Sequence, residues 1–200
     1  MVFVCGLSNY QVGMFHLSNH AFFKALLFLS AGVVIHSLAD EQDMRKMGAL
    51  VYKMPFTYLG ILIGSLAILG FPFLTGFYSK DLLLETTYIS YSVDSLYIYI
   101  MGILTAFFTA MYSMKLIFFV FISKTNLYNK TIILQETNIF ILIPLLILSI
   151  LSIFVGYLFA EIFIGIGSNY LQNSIFIQFE HYNNIEMEFL SPLIKLMPLI

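Results

Sequence analysis

Two short stretches of this sequence place ionisable side chains inside apolar segments. In the first, HLSNHAFFKALLF, two histidines and a lysine occur at positions 16, 20 and 24. At about 100° per residue, a step of four returns almost to the same helix face, so His16, His20 and Lys24 form one stripe rising about 6 Å per step. Imidazole donates at one nitrogen, accepts at the other and titrates near neutrality. With intervening water, this stripe predicts a proton-transfer path.

Two other interpretations of the stripe stay open. Its polar groups could simply satisfy partners on a neighbouring membrane helix. A metal site is the second, because His-x-x-x-His presents two ligands on one face. However, Leu17 stands where the zinc-protease motif has its glutamate, and no clear third ligand is found in the sequence. We therefore predict no metal site in this chain.

The second stretch, GFPFLTGFYSKDLLLE, runs from Gly70 to Glu85. Pro72 removes a backbone donor, and Gly70 and Gly76 release the chain from helical dihedral angles, so we predict a helix that breaks between Gly70 and Gly76. Broken backbone at membrane depth is tolerated only inside protein or beside a water-filled cavity, and it is a marker of transport sites. A plain proline kink is the alternative, because Pro and Gly are common in membrane helices.

Three charged residues, Lys80, Asp81 and Glu85, follow this break. Each charge at the bilayer centre costs about 2.5–3.5 kcal/mol, so three of them in one half-helix need pairing, water or a partner chain. Lys80 can pair with a carboxylate, and Asp81 lies near a helix start, where the dipole favours an anion. A partly desolvated lysine can take up and release a proton. We therefore predict Lys80 and Asp81 as proton-transfer residues, with Glu85 as a further candidate.

Two more ionisable residues are candidates that also have structural explanations. Lys115 lies about 12 Å from the end of its span and can reach the interface by snorkelling. His36 lies near the end of the first span, where an interfacial position would explain it.

The elements that must hold these groups are membrane helices. The sequence is 60% hydrophobic and 10% charged, whereas soluble domains contain roughly 25% charged residues. A net charge of −2 offers no basic surface, so we expect no nucleic-acid partner. Cys5 is the only cysteine, which excludes an internal disulfide and a cysteine-built cluster. We find no phosphate-binding or dinucleotide motif, and we expect no cofactor in this chain.

Windows of about twenty apolar residues predict the spans. They lie at 12–37, 54–90, 93–122 and 138–165, and the second is the broken one. Residues 166–200 are predicted to form an interfacial tail followed by the start of a further span. The fold class is therefore predicted to be all-α, a single membrane domain of about four full spans.

The connections between spans differ in basic residues. Connections 39–53 and 124–138 carry Arg45, Lys46, Lys53, Lys124 and Lys130, whereas 86–94 and 165–190 have neither Lys nor Arg. The positive-inside rule therefore places 39–53 and 124–138 on the electrically negative side, the mitochondrial matrix or the bacterial cytoplasm. The opening residues lack the features of a secretory signal or a transit peptide, so an organellar protein of this sequence would be made in the organelle.

These residues carry a family resemblance. The segment HLSNHAFFKALLFLSAGVVIHSLADEQDMRKMGAL, followed by SLAILGFPFLTGFYSKDLLLE, closely resembles the subunit 5 family of mitochondrial NADH:ubiquinone oxidoreductase, respiratory complex I. The similarity is strongest from about Gly6 to Ser123. More broadly, the chain is similar to the antiporter-like subunits of bacterial complex I and of multisubunit sodium/proton antiporters. That resemblance implies two inverted repeats of five helices, each with a broken helix and a lysine at the break.

Roles for individual residues follow from the resemblance. It implies that Lys80 is the protonatable lysine of the second broken helix, at the proton exit half-channel, and that Asp81 tunes it. By the same likeness His16, His20 and Lys24 form the central hydrophilic axis. The glutamate and lysine of the first repeat are absent from this sequence. The implied partners are therefore other membrane-arm subunits of complex I, including chains that supply the rest of subunit 5, and lipid.

We therefore expect a fragment of a proton-translocating membrane-arm subunit in the mitochondrial inner membrane, with the redox centres elsewhere in the complex. Because members of the subunit 5 family are much longer, the resemblance implies a split gene product or a piece of a longer chain. Two alternatives stay open: a subunit of a cation/proton antiporter, and a structural membrane scaffold whose channel has degenerated.

Overall fold

The computed structural model describes residues 5–6, 8–89, 94–124 and 139–165, and the short pieces 174–175, 190–191 and 194–195. Every regular element within these residues is a helix, which confirms the predicted all-α class. We number the elements α1 (Tyr10–Ser37), α2 (Pro55–Leu69), α3 (Thr75–Ile89), α4 (Ser95–Ile117, continued by π-helical Phe118–Ile122) and α5 (Ile139–Ile164).

Three of these helices are long and apolar enough to cross a membrane: Tyr10–Ser37, Ser95–Ile122 and Ile139–Ile164. Helices α2 and α3 have 15 residues each. A helix of that length is about 22 Å long, shorter than a hydrocarbon core of about 30 Å. Most of the predicted tail at 166–200 lies outside the described residues, as do 125–138 of the second basic connection and 90–93.

Local signals in the sequence set the helix ends. Asn9 caps α1, because its side-chain oxygen accepts the Val12 N–H at 3.4 Å. Pro55 is the first residue of α2. A backbone N–H at this position has no acceptor within the helix, so proline loses no hydrogen bond there. The same helix ends at Gly70, whose φ of +86° and ψ of 34° are left-handed, a conformation that favours glycine. Pro72 then prevents the helix from resuming at once. The break predicted between Gly70 and Gly76 is confirmed.

Helix α3 begins beside the last turn of α2. A Cβ on Gly76 would overlap the carbonyl oxygen of Ala67, so this close approach requires glycine. The start of α3 also docks on α5, where the Thr75 hydroxyl donates to the Leu151 carbonyl at 3.4 Å and accepts the Gly156 N–H at 3.3 Å. The break is therefore anchored between α2 and α5.

The centre of the bundle is α1, which packs against α2, α3 and α5. Helices α1 and α2 run antiparallel, since Gly60 lies against Leu26 while Gly64, one turn later, lies against Phe23 and Leu27. A Cβ on Gly64 would stand 2.8 Å from Leu27 Cγ. Small residues on α2 thus allow the two helices to approach closely.

The connection between α1 and α2 folds back onto the helix ends. Its residues share one buried apolar cluster with α1, α2 and the end of α4, formed by Val34, Leu38, Met47, Leu50, Ile61, Val120 and Phe121. This cluster holds the three helices together at the end of the bundle that carries the first basic connection.

The outer faces of α4 and α5 are apolar and open. Phe108 is 64% exposed, Phe140 83% and Tyr157 64%. Apolar surface of this kind is stable in lipid or against another membrane protein.

We predict that Gly156→Val weakens the anchor of the break, because a Cβ at position 156 would stand 2.6 Å from Thr75 Cα. Overpacking of this kind costs typically about 1–3 kcal/mol. The measurement is the midpoint temperature of thermal unfolding of the purified protein in detergent. The matched control is Gly32→Val on α1, where a Cβ meets no described atom within 4 Å. Equal losses of thermal stability in the two variants would contradict the close contact between Gly156 and Thr75.

Candidate proton-transfer site

The three residues of the α1 stripe lie on one side of the helix, and all three are half-buried. The rings of His16 and His20 have centroids 5.8 Å apart and an angle of 49° between their planes. The His20 and Phe23 rings pack in a T-shaped arrangement, with their centroids 5.1 Å apart. The Lys24 ammonium lies 5.3 Å from the centroid of the Phe28 ring, within cation–π range. The spacing read from the sequence thus corresponds to a continuous row of titratable groups.

The side chain of Lys80 spans the break. Its ammonium donates to the carbonyls of Ile68 at 3.3 Å and Leu69 at 3.2 Å, the last two residues of α2. A helix C-terminus leaves its final carbonyls without partners and carries the negative end of the dipole, so a cation stabilises it. Lys80 therefore caps one half-helix from its position in the other.

No carboxylate of the described residues lies within 4 Å of the Lys80 ammonium, so the carboxylate pair that the sequence allowed does not form among these residues. The reason is geometric. Neighbouring residues on a helix point about 100° apart, so Asp81 does not face the same partners as Lys80. Both side chains nevertheless lean over the break, since a Cβ on Gly70 would be 3.7 Å from Lys80 Cδ and 3.8 Å from Asp81 Oδ1. Asp81 is only 8% exposed, and its Oδ2 has no described hydrogen-bond partner.

A hydrogen bond joins the stripe to the second half-helix. His16 Nδ1 lies 3.1 Å from the hydroxyl oxygen of Ser79 on α3, and Ser79 is fully buried. Either group can be the donor, depending on the imidazole tautomer. This bond brings the two groups that the sequence predicted, the stripe and the broken helix, into direct contact.

Sequence reasoning missed Ser79 and Thr75 as site residues. Most described helical hydroxyls donate to a carbonyl of their own helix, as Ser30 does to Leu26 at 2.7 Å and Ser152 does to Ser149 at 2.8 Å. Ser79 and Thr75 instead bond to α1 and α5. Both lie within one turn of the break, and that proximity is the only sequence signal that could have found them.

The two lysines line two different cavities, and α4 forms a wall of each. A cavity of about 190 Å³ is lined by the Lys24 side chain, by apolar groups of α1 and α2, and by three hydroxyl residues: Ser65, Tyr112 and Ser113. A cavity of about 270 Å³ lies between α3 and α4, where Lys80 meets Met101, Gly102 and Thr105.

Of the remaining candidates, Glu85 lies near this site, whereas His36 and Lys115 lie away from it. Glu85 is half-buried one turn beyond Asp81, where Lys195 is close enough to act on it electrostatically. His36 and Lys115 are exposed on α1 and α4. Among the described residues, no three His, Cys, Asp or Glu side chains are grouped closely enough to hold a metal ion.

The basic residues of the first connection are paired locally. Arg45 donates to both carboxylate oxygens of Asp43 at 2.9–3.2 Å, and Lys46 binds Glu41 at 2.8 Å. The hydrogen bonds from Arg45 hold the pKa of Asp43 at about 2, below its ordinary range. Because a carboxyl group with a depressed pKa stays ionised down to that pKa, the Asp43–Arg45 pair persists throughout the neutral range.

Comparisons with known proteins agree on one family. A family model described as NADH:quinone oxidoreductase/Mrp antiporter, TM, matches residues 1–109, which include the stripe and the break. The chain is 50% identical over 201 residues to "NADH-ubiquinone oxidoreductase chain 5" of Acanthamoeba castellanii and 52% identical over 201 residues to that of Phytophthora infestans. It is 50% identical over 202 residues to the Marchantia polymorpha protein of the same name. These alignments cover 100% of this chain and 30% of each relative, so the chain spans about 30% of the length of these curated relatives.

We predict that Lys80→Met destabilises the break, because it leaves the carbonyls of Ile68 and Leu69 without their donor. An unsatisfied buried polar group costs about 1–3 kcal/mol. Lys80→Gln keeps an N–H donor and should lose less stability than Lys80→Met. The measurement is the half-inactivation temperature of the assembled complex for the two variants. A Lys80→Met complex as heat-stable as the wild type would contradict the capping role.

Proposed function

This chain belongs to the NADH:quinone oxidoreductase/Mrp antiporter transmembrane family, and on that premise we propose that it is a proton-translocating membrane-arm subunit of an NADH:ubiquinone oxidoreductase. The relatives named NADH-ubiquinone oxidoreductase chain 5 support this choice of complex. In this proposal the chain holds no electron carrier. NADH oxidation and quinone reduction take place in other subunits. The free energy that they release reaches this chain as a rearrangement of charges.

The observation that carries the proposal is the 3.1 Å contact between His16 and Ser79. It connects a row of titratable groups on α1 to the half-helix that bears Lys80. Ionisable groups inside a membrane cost several kcal/mol each, so their alignment beside a broken helix favours a transport function over simple packing.

Lys80 is the proposed proton-holding group near the exit. Its ammonium is stabilised by the C-terminal carbonyls of α2, and charge-assisted hydrogen bonds are roughly twice as strong as neutral ones. When Lys80 gives up its proton, this contact weakens. The proton affinity of Lys80 therefore depends on how closely the end of α2 and the start of α3 approach, with neighbouring Asp81 as a second influence.

His16, His20 and Lys24 form the proposed axis that supplies the proton. The imidazole rings of His16 and His20 are neighbours, with centroids 5.8 Å apart, and a water molecule beside the two rings can bridge their nitrogens. Lys24 opens on the cavity of about 190 Å³, which has room for a few waters at about 30 Å³ each. Protons would move along this row by exchange between side chains and water.

The proposed location is the mitochondrial inner membrane, with 39–53 and 124–138 on the matrix side. The proposed partners are other membrane-arm subunits and the chain or chains that supply the rest of subunit 5. Lipid would cover the apolar faces of α4 and α5 that no partner covers.

A subunit of a cation/proton antiporter is a second candidate, because the matching family description names such antiporters as well. Purification of the native assembly discriminates between the two functions. Flavin and iron–sulfur subunits in the purified assembly support the oxidoreductase, and an assembly without them supports the antiporter.

Two substitutions of Lys80 test the proposed function. We expect both Lys80→Met and Lys80→Gln to lower proton flux through this subunit, by roughly 10²-fold or more, because neither side chain can carry the proton. The measurement is proton uptake by liposomes that contain the purified complex, driven by NADH and a quinone. Unaltered quinone reduction by detergent-solubilised complex is the control.

The two variants separate the chemical role from the structural one. If Lys80 only caps α2, Lys80→Gln should pump normally and only Lys80→Met should fail. Normal proton-to-electron stoichiometry in both variants would refute the proposed role of Lys80.

The contact between His16 and Ser79 makes a separate prediction. We expect Ser79→Ala to slow proton transfer by about tenfold, the effect of losing one hydrogen-bonded step, whereas Ser79→Thr should restore most of the rate because it keeps the hydroxyl. Ser152→Ala is the matched control, since Ser152 is also fully buried but donates within its own helix. The same liposome assay measures all three variants. Wild-type pumping by Ser79→Ala would show that this bond is not on the path.

A further inference from the structure

One buried amide has no explanation in the site described so far. Asn19 on α1 is 0% exposed, and neither its Oδ1 nor its Nδ2 has a hydrogen-bond partner among the described residues. Its neighbours on the same helix face, Phe15 and Phe23, are also buried and offer no side-chain hydrogen bond. An amide has two donors and two acceptor lone pairs, so Asn19 is an unsatisfied polar group in the middle of an apolar face.

The position of Asn19 along α1 follows from the contacts on either side of it. One turn before it, His16 bonds to Ser79 of α3. One turn after it, the Phe23 carbonyl lies against Gly64 of α2. Asn19 is therefore level with the point where α2 ends and α3 begins.

The same level of the bundle contains another polar group without full partners. Asp81 Oδ2 is buried and unpartnered, as the Asn19 amide is. Buried polar groups in folded proteins are nearly always satisfied, by protein or by ordered water.

We propose that Asn19 binds internal water at the break between α2 and α3. This site deepens the function proposed above: the water held by Asn19 positions a hydrogen-bonded link from the α1 stripe to the break. Water fits because it donates and accepts at once, and a buried water typically makes about three hydrogen bonds. Asn19 is in this view a positioning residue that carries no proton itself.

A density map of the whole assembled complex at a resolution that shows water tests the site directly. We expect a water peak within about 2.7–3.2 Å of the Asn19 amide, and its loss in Asn19→Leu, which fills a similar volume without polar atoms. A dry amide in the wild type, or one bound directly to a protein group, overturns the proposal, and the wild-type map alone decides this if the variant does not assemble.

Proton transfer gives the second readout. We expect Asn19→Leu to slow pumping by about tenfold, as for the loss of one hydrogen-bonded step, and Asn19→Thr to recover part of the rate because a hydroxyl can still hold water. Ser30→Ala is the matched control, since Ser30 is fully buried on α1 but already donates to Leu26 and Leu27. A rate unchanged in Asn19→Leu overturns the positioning role.

The map and the Lys80 experiment separate this proposal from the proposed function. If the water peak is present but the Lys80 variants pump normally, the proposed function fails while the water site stands. If the Lys80 variants fail to pump and the wild-type amide is dry, the function stands and the water site is refuted.

Discussion

The arrangement of this chain depends on one pair of hydrogen bonds, from the Lys80 ammonium to the last two carbonyls of α2. A helix that ends inside a membrane leaves carbonyls that water cannot reach, and each unsatisfied one costs several kcal/mol. Lysine satisfies two of them with one group and adds a positive charge at the negative end of the helix dipole. The break can therefore exist at membrane depth only with this side chain, or a substitute for it, folded across Gly70.

Small and hydroxylated residues then hold the break in place. Gly76 lets the backbone of α3 approach α2, and Thr75 fixes the start of α3 to the backbone of α5. Ser79 ties the next turn of α3 to α1. Three helices thus constrain the first turn and a half of α3, so a shift of α1 or α5 would be transmitted to the lysine one residue beyond Ser79.

The sequence was sufficient for the helices and for the break, because both arise from local rules: apolar length, Pro at a helix start and Gly in a left-handed position. It was sufficient for the stripe too, since a spacing of four residues specifies a helix face. It was incomplete about Lys80, for which it considered a carboxylate partner and not the end of α2. The end of α2 lies close to Lys80 only in the folded chain. Local sequence rules therefore cannot predict that the lysine side chain reaches the α2 carbonyls. Ser79 was missed for the same reason, because nothing local distinguishes a serine that bonds across helices from one that bonds within its own helix.

The same geometry indicates what must cover the stripe. His20 and Lys24 are only half-buried by the described residues, whereas Asn19 on the same helix is completely enclosed. An ammonium left against hydrocarbon would be as costly as any unpaired charge in the membrane. Among the described residues, Lys24 contacts the face of the Phe28 ring, and the adjoining cavity is mostly apolar apart from the hydroxyls of Ser65, Tyr112 and Ser113. In the proposed function, the open side of the stripe is therefore the side on which we expect a polar helix from outside the described residues.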